Sequence, residues 1–461
     1  MNFEVRSPGS GEVLLTRPFA TAAESERVLA LSEAAKAQWR GLSLERRLAL
    51  VEKMVEHFSS REAQLGRELS EQMGRPLSQT AGEIRGFAHR AKTMMRLAPE
   101  ALADEKVGDK QGFVRFIRHE PLGCVLVLAP WNYPYLCAVN AVVPALLAGN
   151  TVVLKHSDQT PLCAERLQES ADAAGFPAGV FQTLHASHER VAKLVADHRV
   201  NFVAFTGSVE GGRAVHRAAA GHFKAVGLEL GGKDPAYIRA DADPVWAGAN
   251  VAEGAFFNSG QSCCAIERVY VHESIYDAVL AAMVNEAKKL ILGDPLLPDT
   301  TLGPMVRTEA ADRLRGQIQE AVEAGARMLV DPEEFPASQA GTPYLAPQIL
   351  VDVNHDMAIM RDESFGPVVG VMKVASDEEA LALMNDSNYG LTASIWTEDL
   401  ERAMELAESL ETGTVFLNRC DYLDPELAWV GVKNSGRGCT LSRLGFGPMT
   451  RPKSFHFRIQ H

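Results

Sequence analysis

The spacing of apolar residues divides the chain into two parts. From Thr21 to about Ala103 apolar residues recur at helical intervals, and Thr21 with Glu24 forms a candidate capping box. This part is predicted to be a helical lead-in. After the polar stretch 104–111, the pattern changes to short apolar runs bounded by glycine and proline, which is typical of buried strands.

These short apolar runs form two series, and helix-like segments alternate with them. The first series predicts strands at 124–129, 151–154, 201–205 and 226–230. The second predicts strands at 269–272, 348–353, 368–374, 393–396 and 414–417, with helices at 275–292, 309–324 and 376–385. The alternation predicts an α/β fold with mostly parallel, doubly wound sheets. We expect two α/β domains in series, with a tight crossover near Gly231 and Gly232.

Two further segments, 113–117 and 450–458, alternate polar and apolar residues. This alternation predicts two edge strands outside the main sheets. Because an exposed strand edge can pair with another chain, we expect these segments to contact a second subunit.

Composition and charge narrow the range of partners. The chain has 461 residues, enough for two or more domains, and 46 Lys and Arg against 59 Asp and Glu give a net charge of −13. An acidic chain without a basic run is not expected to bind nucleic acid or anionic membranes. The longest apolar region, 135–149, is too short to span a bilayer, and the N-terminus lacks a secretory signal, so we expect a cytoplasmic protein. The seven cysteines have no zinc-like or disulfide-like spacing, and no metal site is predicted.

Two adjacent thiols and one carboxyl group stand out as candidate reactive groups. Cys263 and Cys264 lie in a small polar loop before a predicted strand, where a nucleophilic cysteine has the access it needs, although a buried structural thiol is the alternative. Glu229 lies in an apolar strand. Burial would raise its pKa and suit it to act as a general base, whereas a buried ion pair with Lys233 would be purely structural.

Polar groups also follow several of the other predicted strands. The amide of Asn132 could donate to an oxyanion, or simply form a turn between two prolines. Gly207 and Ser208 lie at a strand-to-helix turn of the kind that approaches a phosphate, although the G-x-G-x-x-G fingerprint is absent. Lys155 and Asp158 suit a nucleotide ribose and its phosphates, or form an ordinary ion pair.

Taken together, seven motifs in order resemble the NAD(P)-dependent aldehyde dehydrogenase superfamily over essentially the whole chain. They are PLG (121–123), PWNYP (130–134), PAL with AGN (144–150), FTGS (205–208), LELGGK (228–233), GQSC (260–263) and ESFGPV (363–368). The resemblance implies a Rossmann-like cofactor domain at 1–103 and 122–230, an α/β catalytic domain at 231–440, and a small β oligomerisation arm at 104–121 and 447–461. It also implies a homodimer or homotetramer.

The same resemblance assigns roles to individual residues. Cys263 would attack the aldehyde, Asn132 and the Cys263 backbone N–H would hold the oxyanion, and Glu229 would activate the water that releases the acid from a thioester. The implied cofactor contacts are Lys155, Asp158, Gly207, Ser208, Trp131, Glu363 and Phe365. The implied substrate pocket contains Tyr133, Asn140, Ser262, Cys264 and Trp429.

Several residues depart from the family pattern and affect the expected choice of cofactor and class of substrate. Asp158 replaces a common Glu, and a carboxylate there should repel a 2′-phosphate, so NAD is preferred and NADP is possible. Asn140 stands where some succinic-semialdehyde enzymes carry a carboxylate-binding Arg, although Arg419 could substitute, and the acidic loop 420–426 could attract an amino-aldehyde. Thr440 replaces a Glu of several relatives. Semialdehyde, amino-aldehyde and general aliphatic or aromatic aldehydes stay open.

Two alternatives to an oxidising, hydrolytic aldehyde dehydrogenase are considered. One is a Cys/Glu thioesterase or ester hydrolase without hydride transfer, and the other is a non-catalytic protein with a relic site. Intact cofactor motifs argue against the first, and the intact Cys263, Glu229 and Asn132 argue against the second.

Overall fold

A computed structural model describes residues 1–460 of the chain. A hairpin and four helices come first: β1 (Asn2–Arg6), β2 (Val13–Pro18), α1 (Ala22–Gly41), α2 (Leu44–Ser59), α3 (Glu62–Met73) and α4 (Leu77–Ala101). The predicted helices are confirmed, and so is the capping box, in which Thr21 and Glu24 each bond the other's backbone N–H. The hairpin is not predicted by the sequence because its strands are exposed at most positions and have no apolar face.

The first α/β unit follows the helices. Its elements are β3 (Glu105–Lys106), β4 (Phe113–Pro121), β5 (Cys124–Ala129), α5 (Pro134–Ala148), β6 (Thr151–His156), α6 (Pro161–Ala174), β7 (Phe181–Thr183), α7 (His188–Ala196), β8 (Val200–Thr206), α8 (Val209–Ala219) and β9 (Ala225–Glu229). Helix α5 is apolar on all sides and almost wholly buried, which fixes the loop before it.

The second α/β unit begins four residues after β9. Its elements are β10 (Asp234–Ile238), α9 (Pro244–Phe256), β11 (Ile266–His272), α10 (Tyr276–Lys288), α11 (Thr308–Glu323), β12 (Arg327–Met328), β13 (Gln348–Val351), α12 (Ala358–Arg361), β14 (Val368–Val374), α13 (Asp377–Asn385), β15 (Tyr389–Gly390), β16 (Thr392–Trp396), α14 (Leu400–Glu408) and β17 (Thr414–Leu417). Two short strands, β18 (Val432–Lys433) and β19 (Gly436–Arg437), and the nine-residue strand β20 (Thr450–Arg458) follow. Residues 230–233, which include Gly231 and Gly232, connect β9 of one sheet to β10 of the other, but the sequence analysis has no strand at β10.

The strands form two main sheets, as the alternating pattern predicts. The first has six strands in the order β19-β9-β8-β5-β6-β7, parallel except for β19. The second has seven in the order β12-β13-β14-β11-β10-β16-β17, parallel except for β12. The α/β fold with parallel, Rossmann-like sheets is therefore confirmed. A short pairing of β15 with β18 accompanies them.

The two predicted edge strands are β4 and β20, and they pair with each other. Their antiparallel ladder runs from Thr450 opposite Pro121 to Arg458 opposite Phe113, and β3 covers the other edge of β4. The prediction of an edge strand at 113–117 is wrong, because β4 lies between β20 and β3, whereas 450–458 does form an edge strand. Within residues 1–460 the outer edges of β20 and of the two-residue strand β3 have no strand partner in this sheet. Among these residues no helix combines the length and apolar character needed to cross a bilayer.

Candidate active site

The loop that carries Cys263 is held tightly between helix α9 and strand β11. A short 3₁₀ helix, Phe257–Gly260, contains Asn258 and Ser259 at positive φ, and Gly260 follows at φ 66°. A Cβ on Gly260 would lie 2.2 Å from the carbonyl oxygen of Gly366, so only glycine permits this approach. The Gln261 side chain then accepts a bond of 2.8 Å from the Val306 N–H, which fixes the start of the cysteine pair.

The two adjacent cysteines have different surroundings. Cys263 is half-buried and lines two neighbouring cavities, whereas Cys264 is buried and donates to Asp421 Oδ1 at 2.9 Å. The neighbouring Cys263 thiol and burial raise the pKa of Cys264 well above its usual value. A protonated, hydrogen-bonded Cys264 is a poor nucleophile, so the accessible thiol is that of Cys263.

Asn132 lies in the loop between β5 and α5, against the cysteine loop. Its Nδ2 donates to the Gln261 carbonyl at 3.2 Å, which leaves a second N–H on the same amide. It lines a 230 Å³ pocket together with Cys263. The amide is therefore held beside the thiol with a donor to spare, as stabilisation of an oxyanion requires.

A fully buried ion pair, Arg75 with Glu83, supports this arrangement from helix α4. Arg75 also donates to the Asn132 carbonyl and, through Nε, to Asn258 Oδ1 at 3.1 Å. Glu83 accepts from the Tyr135 N–H at 2.8 Å. The pair thus ties α4, the start of α5 and the cysteine loop together, and it is not apparent from the sequence alone.

Glu229, at the end of β9, is held by two hydroxyl groups. Thr206 donates to one carboxylate oxygen at 3.1 Å and Thr440 donates to the other at 2.5 Å. Burial raises the pKa of Glu229 above the ordinary glutamate value, although both hydroxyls oppose the shift. The alternative of a structural pair with Lys233 does not apply, because Lys233 pairs with Glu267 at 2.5 Å. A carboxyl group with a raised pKa near a thiol suits a general base.

A second cavity, of 350 Å³, begins at Cys263 and extends along α4. Cys263 and Glu229 both line it, and so do four of the five residues expected in a substrate pocket: Tyr133, Asn140, Cys264 and Trp429. The fifth, Ser262, is buried behind the wall, 3.5 Å from Asp421 Oδ1. Cys263 therefore lies, with Cys137 and Thr206, where this cavity meets the 230 Å³ pocket.

The other arm of the site is a 640 Å³ cleft at the carboxyl ends of β5, β6 and β8. Lys155, Asp158, Gly207 and Ser208 line it, with Lys155 Nζ 2.9 Å from Asp158 Oδ1. Ser208 caps helix α8 by accepting from the Gly211 N–H at 3.1 Å, so the positive end of that helix faces the cleft. A cleft at this edge of a parallel sheet, with a helix N-terminus, fits a dinucleotide and its phosphates.

The cleft continues into the 230 Å³ pocket beside Cys263. Trp131 and Phe365 face each other edge-on there, with ring centroids 5.6 Å apart. Glu363 accepts from the Gly232 N–H at 2.9 Å, and burial raises its pKa to about 7. All seven residues expected to contact a cofactor thus lie along one continuous groove that ends at the thiol. No group of three or more His, Cys, Asp or Glu side chains in residues 1–460 is arranged to hold a metal ion.

Besides Arg75 and Glu83, two charged residues of the 350 Å³ cavity were not assigned to it from the sequence, which placed Asp421 only within the acidic loop 420–426. Asp421 is buried, which raises its pKa to about 6, and it lies in a loop far from any motif. Arg90 lies on the buried face of α4, in line with Glu83 and Phe87, and this interruption of an apolar stripe by charges was an available signal. Arg419, considered as a carboxylate-binding residue, instead stacks over the Tyr422 ring at 3.9 Å.

Comparisons with known proteins agree with this geometry. Residues 1–455 match the aldehyde dehydrogenase family. The chain is 34% identical to the succinate semialdehyde dehydrogenase Sad of Escherichia coli (strain K12), named for use of NAD(P)+, over 95% of this chain and 94% of that protein. It is 37% identical to an aldehyde dehydrogenase of Paenarthrobacter nicotinovorans, over 95% and 96%. The solved structure of succinic semialdehyde dehydrogenase from Streptococcus pyogenes with NADP+ superposes with a TM-score of 0.94 at 30% identity, over 99% of this chain and all of that one.

Proposed function

Because the chain belongs to the aldehyde dehydrogenase family and is an NAD(P)-dependent oxidoreductase acting on aldehydes, we propose that Cys263 is its nucleophile. The observation that carries this proposal is the position of Cys263 where the 350 Å³ cavity meets the groove lined by Glu363 and Phe365. A thiol at that junction can reach an aldehyde in the cavity and face a cofactor in the groove. The esterase alternative loses its support, since the relatives are dehydrogenases.

The protein's own groups account for the first half of the reaction. The Cys263 thiolate attacks the aldehyde carbon, and the free N–H of Asn132 with the Cys263 backbone N–H donates to the oxygen as it gains charge. NAD(P)+ supplies the hydride acceptor that converts this thiohemiacetal into a thioester. Lys155, Asp158, Gly207, Ser208, Trp131, Glu363 and Phe365 would hold the cofactor along the groove.

Glu229 acts in the second half. Its carboxylate takes a proton from water, the water oxygen attacks the thioester carbon, and the acid leaves as the Cys263 thiolate is restored. The hydroxyls of Thr206 and Thr440 each donate to one carboxylate oxygen of Glu229. They therefore fix the orientation of the base before it takes a proton from water. The raised pKa of Glu229 strengthens it as a base relative to an ordinary glutamate.

Three finer assignments belong to the same proposal. NAD is preferred over NADP because the Asp158 carboxylate lies in the cleft beside Lys155. Residues 1–103 with 122–230 form the cofactor domain and 231–440 the catalytic domain. The sheet of β3, β4 and β20 forms an arm whose outer β20 edge pairs with another subunit in a homodimer or homotetramer.

The decisive experiment compares two variants by the appearance of reduced nicotinamide. We expect Cys263→Ala to lower turnover by at least about 10³-fold, because burial raises the pKa of Cys137, the other thiol at the junction, well above its usual value. Glu229→Gln should release one equivalent of reduced cofactor in a burst and then stall, since the thioester lacks its base. Cys163→Ala, which removes a buried thiol of α6, is the matched control. Wild-type turnover by Cys263→Ala, or steady turnover without a burst by Glu229→Gln, would refute these roles.

A further inference from the structure

Arg90 places a positive charge in the wall of the 350 Å³ cavity. The residue is 8% exposed and lies on helix α4. Its Nη1 donates to the Leu136 carbonyl at 2.9 Å and to Asn140 Oδ1 at 3.2 Å, and both acceptors are neutral. In residues 1–460 no carboxylate lies within ion-pair distance of Arg90, and its Nε and Nη2 have no hydrogen-bond acceptor.

The carboxylates around the cavity are already satisfied by other groups. Glu83 pairs with Arg75, and Glu229 accepts from two threonine hydroxyls. Asp421 accepts from the Cys264 thiol and the Ser262 hydroxyl. Arg90 is therefore the one arginine of this cavity, among the described residues, that makes no direct ion pair, and the carboxylates of Glu229 and Asp421 act on it only from a longer distance. A buried guanidinium in this state is costly unless an anion joins it.

A second unpartnered donor lines the same cavity. The hydroxyl of Tyr133 is fully buried and has no hydrogen-bond partner within the described part of the chain. Arg75 lies over the ring, with Cζ 4.3 Å from its centroid, and this contact holds the ring in place. Buried polar groups of folded proteins are nearly always satisfied, so the unpartnered Tyr133 hydroxyl and the free guanidinium donors of Arg90, on two residues that line one cavity, point to a bound acceptor.

We propose that Arg90 binds a carboxylate carried by the substrate at the end remote from its aldehyde, with Tyr133 as a further donor. The inference rests on the proposed function, since the same cavity receives the aldehyde at Cys263. Asn140 is a positioning residue that fixes the guanidinium. A guanidinium without a direct ion pair matches a monoanion, so the substrate class is a short ω-carboxy aldehyde. In this protein the carboxylate-binding arginine would lie on α4. Some succinic-semialdehyde enzymes instead carry an arginine at the position of Asn140, on α5.

The test uses succinic semialdehyde and butanal, which share a four-carbon chain and differ in the carboxylate. In the wild type we expect a higher kcat/KM for the carboxylated aldehyde. Arg90→Gln should lower the ratio of the two kcat/KM values by about 100-fold, mainly through KM, because one partner of a buried charge pair is lost. Arg90→Lys should restore part of the ratio. Asn140→Asp should lower it by about tenfold, because an added carboxylate neutralises Arg90.

A second readout needs no turnover. Succinate should protect Cys263 from alkylation in the wild type, and this protection should weaken in Arg90→Gln. Loss of turnover on every aldehyde with protection intact would count against the proposed function and leave Arg90 as an anion site. An unchanged ratio in all three variants, or a wild type that prefers butanal, an ω-amino aldehyde or a phosphorylated aldehyde, would overturn the carboxylate proposal.

Discussion

The cofactor cleft and the substrate cavity use charge in opposite ways. In the cleft the side chain of Asp158 is 30% exposed, and its pair with Lys155 is a local contact within one strand–loop unit. In the cavity Arg75 and Glu83 are 1% and 0% exposed, and they bond the backbone of Asn132 and Tyr135 and the side chain of Asn258. A charge in the cleft can therefore change with little effect on the fold, whereas a charge in the cavity is part of the packing.

This difference determines which charged residues can change the selectivity for cofactor or substrate. Charges at the cleft can discriminate between cofactors because they are partly exposed and can contact either water or a bound cofactor. Buried charges of the cavity are stabilised by partners within the protein. Only a charged residue without such an ion pair, such as Arg90, can therefore bind a charged group of the substrate.

The strongest test of this contrast is Arg75→Met. Removal of one partner from a fully buried ion pair should lower the free energy of unfolding by about 3–5 kcal/mol, because Glu83 is left without its counter-ion. The control is Arg85→Met, which breaks the exposed pair between Arg85 of α4 and Glu62 of α3 and should leave the free energy of unfolding unchanged. Denaturant titration measures both. Equal midpoints for the two variants would mean that burial does not separate these pairs.

A smaller effect is expected in the cleft for Asp158→Asn. Loss of the carboxylate removes its repulsion of a 2′-phosphate, so kcat/KM with NADP relative to NAD should rise about tenfold. Stability should hardly change. Asp172→Asn, at an exposed position of α6, is the matched control. A constant cofactor ratio would show that other groups of the cleft choose the cofactor.

The smallest effect concerns Thr440→Val. The Thr440 hydroxyl lowers the pKa of Glu229, so its removal should raise that pKa further. Because the base must be ionised, activity is lost as pH falls through its pKa, and the acidic limb of kcat should move upward by about half to one pH unit. Thr440→Ser keeps the hydroxyl and should keep the wild-type limb. A downward shift in the valine variant would contradict the assigned role of the hydroxyl.

Site residues at the ends of predicted strands could be placed together from the sequence. Lys155 and Ser208 end or follow predicted strands of one parallel sheet, so their common edge could be inferred before the structure was known. Arg90 and Asp421 reach the cavity from an early helix and a late loop, and only tertiary packing brings them together. Strand β10 was missed because a buried Asp234, bonded to Thr392 at 2.5 Å, looks like a turn residue in the sequence.

The pairing of β19 with β9 also affects folding of the chain during its synthesis. Ser435 and Gly231, which share a hydrogen bond of 2.7 Å, are 204 residues apart in the sequence. On the ribosome, at ~5–20 residues per second, the outer edge of β9 therefore waits about 10–40 s for its partner. During that time a strand carrying Glu229 has an open edge, which is a site where nascent chains can associate wrongly. We expect chaperone engagement with this protein to persist until Gly436 has emerged.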